Sequence, residues 1–131
     1  MQRTHQPPNT ILDAIGASGA GNPVNVKDFR HIMIEVVMVG FTGTIKFAGS
    51  FKQASPPDIS SAKSLTNPWD TVQIKDLQSN TAIDGDTGVT GSATTDVTQY
   101  EINSNGFTWV NAILSSVTAG TITVKIIPFN D

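Results

Sequence analysis

The residues that could do chemistry are few: two histidines, His5 and His31, two glutamates, Glu35 and Glu101, and no cysteine. A Ser-His-Asp hydrolase would need His31 in a pocket beside a serine and a carboxylate, and no Gly-x-Ser-x-Gly elbow marks such a serine. His31 is instead expected at a strand start, on the sheet surface. Glu35 and Glu101 are the residue types of a glycosidase pair, but each stands within its own strand and nothing in the sequence couples them. Without cysteine there is no disulfide, no thiol nucleophile and no Cys-ligated zinc. Asp84-Gly85-Asp86-Thr87-Gly88 has the opening spacing of a calcium loop. An EF-hand would continue with an oxygen ligand, a glycine and a closing glutamate, where this chain has Gly88, Val89 and Thr95. A turn in which aspartate side chains accept from backbone N–H groups is expected there. No catalytic, metal-binding or cofactor-binding residue is therefore assigned, and the chain is expected to be no enzyme and to use no cofactor.

Aromatic side chains offer a different chemistry. Trp69, Trp109 and Tyr100 could form a stacking platform for sugar, which requires exposed, coplanar rings. Trp109 shares a strand face with Phe107 and Ile113, which favours packing instead. Trp69 follows Asn67-Pro68 in a loop and could cover one end of a sandwich. The two readings differ in one observable: a platform exposes Trp69 and Tyr100 beside a groove, whereas an assembly module buries them.

The elements that must carry these residues are β-strands. The 131 residues match one domain in length. Charged residues make up 15% of the chain, and 16 threonines, 11 serines, 11 glycines and 9 asparagines take their place. That mixture suits strands with an uncharged polar surface and gives helices little support. A net charge of −3 disfavours general binding to nucleic acid. The opening, residues 1–9, has no apolar run, so neither a signal peptide nor a membrane anchor is expected and folding is placed in the cytoplasm. Ile32 to Phe41, the longest apolar segment, contains Glu35 and falls far short of a bilayer span. Residues 1–9, with Pro7-Pro8, are expected to be an extended arm lying on something such as a neighbouring subunit, and residues 10–131 a single domain.

Apolar residues alternate with period 2 in several segments. Val24–Val26 is a short strand. Phe29–Val39 places Ile32, Ile34, Val36 and Met38 on one face, Gly40–Gly43 is a turn, and Thr44–Ser50 returns with Ile45 and Phe47 inward, which predicts a hairpin. Residues 52–70 form a long loop. Thr71–Lys75 alternates again, 79–96 is loop, and Val97–Ile102 is a modest strand. Phe107–Val117 and Gly120–Phe129 make a second hairpin. Gly43-Thr44-Ile45 and Gly120-Thr121-Ile122 match, through either an internal duplication or the shared needs of a β-turn. The sum is an all-β antiparallel sandwich, jelly-roll-like, of about seven or eight strands, with a partly open barrel as the alternative.

One strand is apolar on both sides. Opposite Ile32, Ile34, Val36 and Met38 lie Met33, Val37, Val39 and Phe41, interrupted by Glu35, and 107–117 repeats the feature. An antiparallel sandwich needs one apolar face per strand. The other must be covered by a loop, by copies of the chain, or by a larger partner.

The run Val24-Asn-Val-Lys-Asp-Phe-Arg-His-Ile-Met-Ile-Glu-Val36, then Gly40-Phe-Thr-Gly-Thr-Ile-Lys-Phe-Ala-Gly-Ser50, resembles a family of small β-sandwich structural proteins of tailed bacteriophages and prophages. Asn67-Pro-Trp69, Gly106-Phe-Thr-Trp-Val110 and Thr118-Ala-Gly-Thr-Ile-Thr-Val124 continue the likeness, which covers about residues 22–127. The family pattern often has Arg where this chain has Asn111, and the loop after Ser50 is longer here. The resemblance implies a virion component assembled in the host cytoplasm. Its expected role is a capsid decoration or cement protein that bridges major capsid subunits as a homo-oligomer, with no membrane or direct nucleic-acid contact. A tail or head-to-tail component, or a carbohydrate-binding attachment module, is the alternative. Contacts are expected at Gln2, Arg3, His5, Pro7 and Pro8 in the arm, at Met33, Val37 and Phe41, and at Pro56, Pro57 and Trp69.

Overall fold

A computed structural model describes residues 4–5, 7–52, 69–103 and 106–130. Ten strands follow one another: β1 (Thr4–His5), β2 (Asn9–Ile15), β3 (Gly19–Ala20), β4 (Val24–Asn25), β5 (His31–Ser50), β6 (Asp70–Thr71), β7 (Ile74–Asp76), β8 (Thr81–Ile83), β9 (Val89–Asn103) and β10 (Trp109–Asn130). The described residues contain no helix, and every strand pairing is antiparallel. The expected all-β class holds.

The two expected hairpins do not form. Each is one continuous strand, and β5 pairs with β10 from Ser50↔Trp109 to His31↔Phe129. On its other edge β5 pairs with β9, from His31↔Asn103 to Ile45↔Val89. The glycines read as hairpin turns mark a corner instead. A bulge and a turn both need a residue in the left-handed region, so local sequence does not separate them. Gly40 (φ 55°) in β5, Ala93 (φ 49°) in β9, Ser116 (φ 56°) and Gly120 (φ 71°) in β10, and Ala14 (φ 50°) in β2 all take that conformation. The pairing register shifts at the same level in each strand. In β5 the buried positions change from even (Ile32, Ile34, Val36, Met38) to odd (Phe41, Ile45, Phe47), with exposed Val39 at the break.

Chain connectivity shows that the corner folds the sheet onto itself. Thr71 pairs with Ala48, and Lys75 pairs with Glu101, which is opposite Met33. Residues 71–75 span at most about 14 Å. Met33 and Ala48 would lie roughly 50 Å apart if β5 ran straight. The two halves of β5 therefore belong to two stacked layers. One holds β1, β2, the second half of β10, the first half of β5, the second half of β9, β7 and β8. The other holds β3, β4, the first half of β10, the second half of β5, the first half of β9, and β6. Among the described residues, segments 26–30, 72–73 and 106–108 lie between the layers at the end away from the corner.

A single cluster fills the space between the layers, joining Ile32, Ile34 and Val36 to Ile45, Phe47, Val110, Leu114, Ile122, Val124 and Ile126. Apolar burial at about 25 cal/mol per Å² makes this cluster the main stabilising term. A smaller cluster on the outer face of the second layer holds Ala48 and Trp69, flanked by Trp109 and Ile113. It accounts for the second apolar face of 107–117.

Two segments were expected differently. Val89–Asp96, expected as loop, is the first half of β9, and Asn9–Ile15, given no strand, is β2. Most of β9 from Ser92 to Gln99 is exposed on both faces, so burial left no alternation to read. Its threonines still fit a pleated strand. The boundary drawn after residue 9 falls within β2, and β1 pairs with Phe129 and Asn130 of its own chain.

Gly120 is fixed by space as well as by backbone angle, since a Cβ there would lie 2.2 Å from the Gly40 carbonyl oxygen. Gly120→Ala should cost at least about 2 kcal/mol, read as a lower denaturant midpoint. Ala93→Gly should do the opposite, adding about 0.5–1 kcal/mol by relieving a left-handed alanine.

Candidate functional site

His31 begins β5, where register sets it beside Asn103 on one side and Phe129 on the other. Its ring stacks on Phe129 with centroids 5.0 Å apart. Its Nδ1 lies 3.8 Å from Glu101 Oε1, too far for a hydrogen bond and close enough for weak attraction when the imidazole is protonated. Glu35 is flanked by Lys125 and Gln99 across the sheet, and Glu101 by Met33 and Lys75. The glutamates thus each face a lysine on a neighbouring strand, an arrangement that favours sheet pairing. Among the described residues no group of three or more His, Asp or Glu side chains is placed to hold a metal ion.

The Asp84–Gly88 segment is a turn of the expected kind. Asp84 Oδ1 accepts from the backbone N–H groups of Asp86 at 2.8 Å and Thr87 at 3.3 Å. The Thr71 hydroxyl donates to Asp86 and ties the turn to β6.

Trp69 is 1% exposed and Tyr100 4%, so neither can stack on a sugar. The aromatic platform, the alternative to packing, is therefore ruled out for these two rings. Phe41, placed by sequence on the outer stripe, is 0% exposed. The parity change at the corner turned it into the core. Phe41 and Trp69 are therefore corrected from contact residues to interior ones. Met33, Val37 and Val39 do share the outer face of the first layer, interrupted by Glu35 as expected. Val97 lies opposite Val37, and both Val39 and Val97 are 56% exposed. The sequence missed Val97 because its strand neighbours are polar. Pro7 and Pro8 are exposed. His5 is described in its backbone alone, and Gln2, Arg3, Pro56 and Pro57 lie outside the described residues.

Among the described residues, clefts open at the end away from the corner and along the flank of β9. The larger, about 450 Å³, sits at the end away from the corner and is lined by Gln73, Lys75, Glu101, Asn103 and Phe107, with Val72, Ile74 and Ala82. It exists because β7 pairs with β9 only at Tyr100 and Glu101, while residues 72–73 cross between layers beside it. Phe107 packs on the exposed ring of Phe51 at 4.8 Å. The second cleft, about 410 Å³, follows the flank of β9 between Asp76, Asp96, Thr98 and Tyr100. There Asp76 Oδ1 accepts from Gln78 and Ser79, and Asp96 Oδ1 from Val97.

Asn111, where the resembled pattern has Arg, is 2% exposed. It donates to the Gly21 carbonyl at 2.9 Å and accepts from Ala112 N–H at 2.8 Å, holding the N-terminal segment against β10. A charged guanidinium would not fit this buried, fully used position without rearrangement.

No family model matches the chain, and neither does any curated protein. Its fold is shared by solved structures. The prophage-derived protein YomS of SPBc2 has a TM-score of 0.74 at 15% identity, over 99% of this chain and 96% of that one. The exported protein XepA of PBSX also gives 0.74, at 16% identity over 99% of this chain. The match takes up 39% of XepA, so the fold is one part of that longer protein. At these identities the likeness establishes the scaffold, an all-β sandwich found in two prophage-encoded proteins.

Burial pushes the Tyr100 phenol above its ordinary value. The Asp76 and Asp96 charges push the same way, and a hydrogen bond with Thr98 works against them. A raised phenol favours the folded state below the unfolded value of about 10, and that advantage fades as pH rises past it. Tyr100 is the sole tyrosine, so absorbance near 295 nm should show one midpoint above 10. Asp96→Asn should lower that midpoint without restoring the ordinary value, because desolvation remains.

Proposed function

We propose that this chain is a non-enzymatic structural protein of a tailed bacteriophage particle, and within the particle a capsid decoration protein that bridges major capsid subunits. The observation that carries this reading is the match of fold over 99% of the chain to YomS, a prophage-derived protein of nearly the same extent. The phage-like sequence pattern over about residues 22–127 supports it. So does the outer face of the first layer, where Met33, Val37, Val39 and Val97 present apolar surface between Glu35 and Lys125. Many copies of a modest interface, repeated over a lattice, bind by avidity.

One observation favours a second reading. The same fold forms 39% of XepA, which is described as an exported protein, so the scaffold also serves as a module of a longer chain. A tail or attachment component would use it in that way.

Light scattering on the purified chain, followed by co-sedimentation with undecorated capsids, tests the first reading. A stable oligomer that pellets with the capsids is expected. Val39→Asp with Val97→Asp should weaken pelleting at least about tenfold, which corresponds to about 1.4 kcal/mol, while the exposed sites leave folding intact. A chain that stays in the supernatant and pellets instead with purified tails would replace the decoration reading with the tail reading.

A further inference from the structure

We propose that the outer face of the first layer is a two-fold interface with a second copy of this chain. The inference deepens the assembly reading above, resting on the same outer face, by naming what covers it. In this layer the even-numbered residues of β5 and β10, from Ile32 to Met38 and from Ile122 to Ile126, are buried. Their odd-numbered neighbours therefore point outward, and the strand register arranges them in rows across the sheet. The middle row sets Lys125 of β10 beside Glu35 of β5. The rows on either side carry Ile127 beside Met33 and Thr123 beside Val37. Among the described residues no ion pair or hydrogen bond holds the side chain of Glu35 or of Lys125. The face is thus apolar with one unpaired charge of each sign at its centre.

That pattern is complementary to itself in one orientation. A two-fold axis running along the strands, over the gap between β5 and β10, keeps every row in place and lays β5 on the partner's β10. Lys125 then meets the partner's Glu35, Ile127 meets the partner's Met33, and Thr123 meets the partner's Val37. Each contact occurs twice, as a two-fold interface requires. An axis running across the strands would instead place Glu35 on the partner's Glu35 and Lys125 on the partner's Lys125. Like charges facing one another select against it. Packed sheets keep their strand directions within about 30° of each other, which the favoured axis satisfies. The rows from Thr121 to Phe129, across β10, β5 and β9, cover roughly 27 Å by 14 Å. A patch of that size is at the low end of specific interfaces and suits a reversible dimer. A dimer also presents each remaining surface twice, which is how avidity for a lattice arises.

Sedimentation equilibrium of the purified full chain, from about 1 µM to about 300 µM, tests the interface. A monomer–dimer equilibrium with a Kd on the order of 10 µM is expected. Glu35→Lys alone and Lys125→Glu alone should each weaken dimerisation at least about tenfold, because like charges then meet. An equimolar mixture of the two variants should recover dimerisation, since the lysines of one chain meet the glutamates of the other. A folding defect in either variant would give no such rescue. The inference is overturned if the chain stays monomeric over that range, if it forms only larger oligomers, if dimerisation ignores both substitutions, or if the mixture behaves as the single variants do. Capsid pelleting reads the decoration role separately. A dimer that stays in the supernatant leaves this interface standing and removes that role, and a monomer that pellets does the reverse.

Discussion

The whole molecule depends on a corner at which adjacent strands break their ladder at one level and regain the lost hydrogen bonds from hydroxyl groups. A bulge leaves backbone N–H groups facing away from the neighbouring strand. Here threonine and serine side chains take them up. Thr95 accepts from Gly40 N–H at 2.9 Å, Thr42 from Ala93 at 2.9 Å, Thr123 from Ala14 at 3.0 Å, and Ser18 from Val117 at 3.2 Å. Each acceptor comes from a strand or segment other than its donor's. The corner is thus a cooperative feature, in which the bend in one strand is completed by its neighbour. This gives the abundance of threonine a structural purpose beyond strand propensity.

With the corner made, the rest of the architecture follows from short connections. Three strands long enough to cross both layers bring their own partners with them, so the two layers share β5, β9 and β10 and need only brief crossings at the far end. Those crossings border the cleft lined by Gln73, Glu101, Asn103 and Phe107. The same folding turns Phe41 inward while leaving Val39 and Val97 outside. The corner therefore shapes the candidate contact face.

The polar interior follows the same economy. Asn111 joins the N-terminal segment to β10 through both ends of its carboxamide, and among the described residues no buried side-chain nitrogen or oxygen lacks a hydrogen-bond partner. The N-terminal residues that looked like an arm are in part an edge strand of their own sheet. Pairing of Thr4, His5 and Asn9 with Asn130, Phe129 and Ile126 gives them a local use. What they do in an assembly is a separate matter of which surface they leave outward.

Composition and alternation determined that this chain is all-β, that Ile32, Ile34, Val36, Ile45 and Phe47 line its core, and that Asp84–Gly88 is a turn, because these depend on side-chain period and local hydrogen bonding. The resemblance pointed to a phage-associated protein. The tertiary structure alone decided that Gly40 and Gly120 bend strands rather than reverse them. A left-handed residue is locally the same in both cases, and only the partner strand tells them apart. It also decided that Phe41, Trp69 and Tyr100 are interior, since their burial comes from a parity change and from residues distant in sequence. The cleft around Gln73, Glu101, Asn103 and Phe107 left no signal in the sequence, because separate strands and crossings meet there only after the two layers stack.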